Sequence, residues 1–251
     1  MENLLAILSS FQPITLQEMK GVELMDRADT KFVVPLNTIL GILPGLKEHY
    51  RVLEIEGNRA SSYETVYYDT PGFYFYTRHH NGKMNRLKIR KRRYVESNLN
   101  FLEVKFKTNK EKTVKDRTKL PSIEQELNDP EKAFIDLETQ FNQPLEPKLW
   151  NFFSRVTLVS QQLQERITID FGLSFRNIAG DRYGLKNLVI LEVKQPRRTR
   201  LSPIVAELHK RHIRPEGLSK YCLGVANLYT EVKKNNFKPK LRRIVSLETY
   251  G

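Results

Sequence analysis

Cysteine is almost absent: Cys222 is the only one in 251 residues. A single thiol forms neither an internal disulfide nor a Cys-based zinc site. Long apolar runs are also missing, which argues against a membrane-spanning helix. The opening ENLLAILSSF is too short and wrongly flanked for a secretory leader and reads as a short amphipathic helix. A cytoplasmic protein is expected, joined to a membrane only through a partner. Neither GxxxxGK[ST] nor GxGxxG occurs, so a P-loop or kinase-type nucleotide site is not expected. His79 and His80 are adjacent and cannot share a helix face as metal ligands. His209 and His212 read as solvated helix-surface side chains. No Ser/His/Asp arrangement can be argued, and Cys222 reads as a packing residue rather than a nucleophile.

Negative charge is scarce relative to positive. Lys and Arg number 42 against 29 Asp and Glu, a net charge of +13. Such a balance points to a polyanionic partner: nucleic acid, an anionic membrane surface, or phosphates. Hydrophobic content of 39%, with 11 Tyr and 13 Phe, suffices for a core and argues against disorder. One large domain is the simplest organisation over 1–251. The tail from Lys233, KKNNFKPKLRRIV, reads as a solvated basic end.

Alternating apolar and charged residues predict strands at 27–34, 50–56, 61–69, 86–95, 101–108, 112–120, 154–160, 165–171 and 187–195. Helical patterns fall at 36–47, 130–142, 202–212 and 218–230. A further helix is expected from Asp69-Thr70-Pro71. Pro35, Pro71, Pro130 and Pro203 suit first helical turns.

Parity within the strands carries the functional signal, because side chains two apart on a strand share a face. In RLKIRKRRYV, Arg86, Lys88, Arg90 and Arg92 share one face, and Lys91 and Arg93 point the other way as ordinary outer charges. Asp29 and Lys31 share a face, as do Glu103, Lys105 and Lys107. The same holds for Lys115, Arg117 and Lys119; for Arg166, Thr168 and Asp170; and for Glu192 and Lys194. Apolar residues occupy the opposite faces. Either an antiparallel sheet turns its charged side to water, or the sheet closes into a barrel with a cationic interior. Crowded like charges destabilise a sheet unless an anion neutralises them.

The motifs DRADTKFVVP, YYDT, IRKRRY, FLEVKFK, TVKDR, ERITID, LEVK and SKY, in that order, resemble the VTC domain. This is the polyphosphate polymerase domain of the CYTH-like triphosphate tunnel metalloenzyme superfamily. The resemblance runs from about Asp26 to Tyr229. It implies an α+β fold: a closed antiparallel β-barrel with a cationic lumen and helices packed outside. It also implies a phosphotransferase that moves the terminal phosphate of ATP onto inorganic polyphosphate with Mn²⁺ or Mg²⁺.

Matched residue by residue, the resemblance assigns catalytic roles to Lys31, Arg90, Arg92 and Glu192, with Glu192 as metal ligand. Phosphate binding is assigned to Lys31, Arg90, Arg92, Lys105, Lys115, Arg155, Arg166, Lys194 and Lys220. Arg90 and Arg92 become the clamps, with Arg86 and Lys88 nearer the mouth. Some positions depart from the pattern. The superfamily's ExExK reads Arg27-Ala28-Asp29-Thr30-Lys31 here, which weakens a hydrolytic two-metal site. Phe153 stands where a tyrosine is expected. Pro215-Glu216-Gly217-Leu218 lacks a second lysine ahead of Lys220. No fused sensor domain is expected before the tunnel. The rival readings are a tripolyphosphate or nucleoside triphosphate hydrolase, and a binding module for polyphosphate or inositol phosphates. Nucleic acid is disfavoured because aromatics such as Phe106 fall opposite the cations.

Overall fold

A computed structural model of the protein describes residues 2–19, 28–109, 113–197, 199 and 201–250. Arg27, a residue of the expected first strand, lies outside them. The N-terminal helix α1 (Glu2–Ser9) buries Leu4 and Leu8 and leads to the short β1 (Pro13–Ile14) and α2 (Leu16–Met19). Then come β2 (Ala28–Pro35), α3 (Leu36–Ile42) with a 3-10 turn at Leu43–Leu46, β3 (Tyr50–Leu53), β4 (Ser61–Asp69) and α4 (Tyr74–His80). Next are β5 (Arg86–Tyr94), β6 (Leu99–Lys107), β7 (Thr113–Leu120) and α5 (Asp129–Thr139). The C-terminal half holds β8 (Glu146–Ser160), β9 (Arg166–Asn177), β10 (Arg182–Leu185), β11 (Leu188–Gln195), α6 (Pro203–Lys210), α7 (Lys220–Leu228) and α8 (Lys238–Tyr250).

The strands form one sheet whose main path is β2-β11-β9-β8-β4-β5-β6-β7, antiparallel at every step. The expected closed barrel is not formed by hydrogen bonds: β2 and β7 end the path and do not pair. One physical reason is visible: the Lys31 carbonyl on the β2 edge already accepts the Glu216 N–H.

The sheet is nonetheless strongly curled. β2 and β6 are six strands apart along the path, which is roughly 29 Å on a flat sheet. Yet the Lys31 charge acts on Lys105 of β6 and on Lys88 of β5, which screening would forbid at that distance. The charged parity faces therefore look at one another across a concave trough.

Three apolar clusters hold this shape. On the convex side, α1, α3 and α6 cover β2, β11, β9 and β8 through Phe32, Val34, Ile167, Ile169, Leu191 and Leu208. Over the other half, Ile135 of α5 meets Val66, Ile89, Leu102 and Val104. The third cluster corrects the expectation that every helix lies outside. Helix α7 packs on the concave side, against Leu149 and Phe175, and plugs one end of the trough. Gly224 permits this approach, since a Cβ there would sit 2.5 Å from Leu149 Cδ2.

Several local expectations are revised. The helix after β4 begins at Tyr74 rather than at Asp69, because the buried Asp69 carboxylate accepts the N–H groups of Thr70, Phe75 and Tyr76 and organises the turn. Lys91 is not an outer-face charge in water. It is fully buried, donates to the carbonyls of Glu124 and Glu126, and pairs with Glu131 at 2.8 Å. The basic tail is not a solvated end, because α8 buries Ile244 against the plug cluster. Lys240 donates to the Gly217 carbonyl, and Glu248 accepts the N–H groups of Lys186 and Asn187. No helix among the described residues is long and apolar enough to cross a membrane.

Candidate phosphate-binding face

Register alone brings the charged residues together. Lys31 lies opposite Glu192, Glu192 opposite Thr168, Asp170 opposite Arg155, Arg90 opposite Glu103, and Lys105 opposite both Lys88 and Lys115. Every one of these side chains is on the concave side.

The face is organised around three carboxylates, each set between two cations. Glu192 receives Lys31 at 2.6 Å on one oxygen and Lys194 at 2.8 Å on the other. Glu103, with 1% of its side chain exposed, receives Arg90 at 2.6 Å and Lys115 at 2.5 Å. Asp170 holds the Arg155 guanidinium in a two-point contact at 2.5 and 2.8 Å, and also accepts the Lys220 ammonium. Among the described residues, Arg92 pairs with no carboxylate. Its Nε donates to the Thr65 hydroxyl at 3.2 Å, and its guanidinium lies over the Tyr63 and Phe153 rings.

Electrostatics follow from this geometry. Burial opposes ionisation of Glu103, Asp170 and Glu192, but their paired cations outweigh it and hold all three carboxyls below the usual range. The lysines feel the reverse. Burial, only partly offset by Asp170, brings Lys220 down to about 7. Burial and neighbouring cations bring Lys88 and Lys105 down to about 8. On this face cations outnumber carboxylates.

All the residues singled out from the sequence lie on this sheet or at its plug. Lys31, Glu192 and Lys194 converge; so do Arg90 and Lys115, and Arg155 and Lys220. Arg92 sits between the last two groups. Lys105 is across the trough from Glu192, whose charge acts on it together with that of Asp29. Arg166 shares the face at the end of β9, opposite Lys194.

Sequence reasoning passed over Asp170 and Glu103 as organisers, although parity had placed both on the right faces. It also misjudged the aromatics. Phe106 does point away, but Tyr63 and Phe153 stack at 5.0 Å on the cation face. Arg155 lies over both rings and Lys220 3.8 Å above Phe153, while Arg117 covers Phe101. Phe153 thus supplies a floor for cations at the position where the resemblance has a tyrosine. The register Tyr63 opposite Phe153 was the signal, and the bulge in β8 beside Phe153 hid it.

Among the described residues, no three His, Cys, Asp or Glu side chains group as a metal cage. Mg²⁺ needs none: one or two carboxylates suffice when substrate phosphates complete its shell. Glu192 fits that donor chemistry, and Asp29 lies one register position away on the same face.

A family model described as "VTC domain" matches residues 26–229. No curated protein matches the chain significantly. Solved structures give weaker likenesses. A Hippeastrum protein described for a dominant triphosphatase activity is 12% identical with a TM-score of 0.48, covering 83% of this chain and 100% of that one. A Pyrococcus horikoshii protein is 15% identical with a TM-score of 0.42, covering 78% and 93%. The RNA triphosphatase of S. pombe is 11% identical with a TM-score of 0.27, covering 90% and 82%. Superpositions this loose carry no conclusion about activity.

Proposed function

Because the chain belongs to the VTC domain family, we propose that it is a polyphosphate polymerase, moving the terminal phosphate of ATP onto inorganic polyphosphate on its concave cationic face. The observation that supports this reading most is the seating of Glu103, Asp170 and Glu192, each between two cations on one curled face. A phosphate chain is a line of closely spaced anions, and this face supplies a matching line of cations.

Phosphoryl transfer asks a protein mainly for positioning and charge neutralisation. Lys31, Arg90, Arg92 and Glu192 serve the reacting phosphate. Lys105, Lys115, Arg155, Arg166, Lys194 and Lys220 hold the remaining phosphate oxygens. Arginine forks match phosphate oxygens bidentately, and lysines act as point charges. Glu192 would hold a Mg²⁺ or Mn²⁺ ion, which would supply further neutralisation of phosphate charge. In the transfer, a terminal oxygen of the acceptor chain bonds to the γ-phosphorus. The bond from that phosphorus to the bridging oxygen breaks, and ADP leaves with the electron pair.

The carboxylates bear on the choice between transfer and hydrolysis. Water must lose a proton as it attacks, and Glu103, Asp170 and Glu192 are weak bases when held below the usual carboxylate range. A polyphosphate oxygen is already anionic and needs no base. The test is a gel of the products from ATP and Mn²⁺. A ladder of lengthening chains supports the reading. Orthophosphate without a ladder makes the protein a hydrolase, and binding without turnover makes it a binding module.

A further inference from the structure

Two groups stand out among the cations of the concave face. Lys31, Arg90, Lys115, Arg155, Lys194 and Lys220 are each ion-paired to one of the three carboxylates. Arg86, Lys88, Lys105 and Lys107 are not. None of these four has an ion pair or hydrogen bond among the described residues. Register places Arg86 directly opposite Lys107 and Lys88 directly opposite Lys105. Four half-buried cations thus crowd a patch of roughly 7 by 5 Å. Like charges directly opposite destabilise a sheet, and no carboxylate among the described residues pairs with any of the four, although Glu192 and Asp29 act on Lys105 across the trough.

A cavity of about 30 Å³ lies among α4, α7 and α8, lined by His79, Ser219, Cys222 and Lys240. Lys88 and Arg86 act on both His79 and the Cys222 thiol, and Lys240 and Lys107 add to the field on His79. Burial and these four cations drive His79 down to about 3, so its imidazole is neutral. The patch therefore sets like charges against one another beside a neutral His79. It also continues a line, since Arg86, Lys88, Arg90 and Arg92 follow one another along β5 for roughly 20 Å. Tyr63, Tyr67, Phe101 and Phe153 lie at the carboxylate-bearing half, whereas Phe106, the aromatic within the patch segments 86–88 and 105–107, points to the opposite face.

We infer that Arg86, Lys88, Lys105 and Lys107 form a second phosphate subsite, which takes the phosphates of a long inorganic chain beyond those held by the carboxylate-bridged pairs. Bare phosphates fit a patch of point charges without stacking surfaces, whereas a nucleobase fits the aromatic half. This deepens the polymerase reading by naming where the chain lies, and it rests on that reading for the chain's role as acceptor or product.

The test compares binding of tripolyphosphate and of a chain several times longer, by calorimetry over a series of salt concentrations. The variants are Arg86→Gln/Lys107→Gln and the charge-conserving Arg86→Lys/Lys107→Arg. Each lost cation–phosphate contact lowers the slope of log affinity against log salt by about one. The Gln pair should lower the slope for the long chain by about two and leave that for tripolyphosphate unchanged, and the charge-conserving pair should restore both. Equal losses for the two ligands, or no loss for either, overturn the subsite. Failure of the polymerase reading looks different. A length-dependent loss in a protein that makes no chains keeps the subsite and removes its role in synthesis. Chain synthesis with unaltered slopes does the converse.

Discussion

Replacing Asp170 by Asn tests whether the carboxylates of the concave face act as internal stand-ins for phosphate. Asp170 is nearly buried and carries both Arg155 and Lys220. The amide keeps the shape, loses the charge, and turns an NH₂ group towards one of the cations. Removing one partner of a buried ion pair typically costs about 3–5 kcal/mol. For a chain of this length, about 2–4 °C of Tm goes with each kcal/mol, so Asp170→Asn should lower Tm by roughly 6–20 °C. Tripolyphosphate at a hundred times its Kd adds about 2.7 kcal/mol, or roughly 5–11 °C, to any form that binds it. The variant should gain more than this at the same ligand concentration, because phosphate then neutralises the orphaned Arg155 and Lys220. Thermal scans of both proteins, with and without tripolyphosphate, measure the effect. The gap in Tm should narrow with ligand. A gap that stays constant or widens refutes the reasoning.

Three further outcomes are expected. Gly224→Ala drives a Cβ into Leu149 and Phe175 at 2.5–2.9 Å; overpacking should cost about 1–3 kcal/mol, seen as a lower Tm, and raise KM for ATP as α7 shifts Lys220. Raising pH from 6 to 9 should weaken tripolyphosphate binding in calorimetry, because a polyanion favours protonated lysines and Lys220, at about 7, and Lys88 and Lys105, at about 8, lose their protons over that range. Arg90→Ala should lower kcat by about 10²–10³, the usual loss for one preorganised donor, with Tm less affected than in Asp170→Asn because Glu103 retains Lys115.

The period of two made most of the site readable. It put Lys31, Arg90, Lys105, Glu192 and Lys194 on the right faces, and register then had only to bring those faces together. What stayed hidden was set by long-range packing. That α7 lies inside the trough depends on Gly224 meeting Leu149 and Phe175, residues far apart in sequence. Lys91 looked like a surface charge because nothing local shows that Glu131 and two carbonyls close over it. The basic tail read as solvated because its charge outweighs the few apolar side chains, Ile244 among them, that dock α8. The open seam between β2 and β7 was out of reach too, since the β2 edge is engaged by Glu216, distant along the chain.

The central claim is tested most directly with ATP labelled at its γ-phosphate, an unlabelled polyphosphate primer and Mn²⁺. The native protein should place the label at the ends of chains longer than the primer, and Glu192→Gln should not. Label found only in orthophosphate, with the primer unextended, would contradict the account.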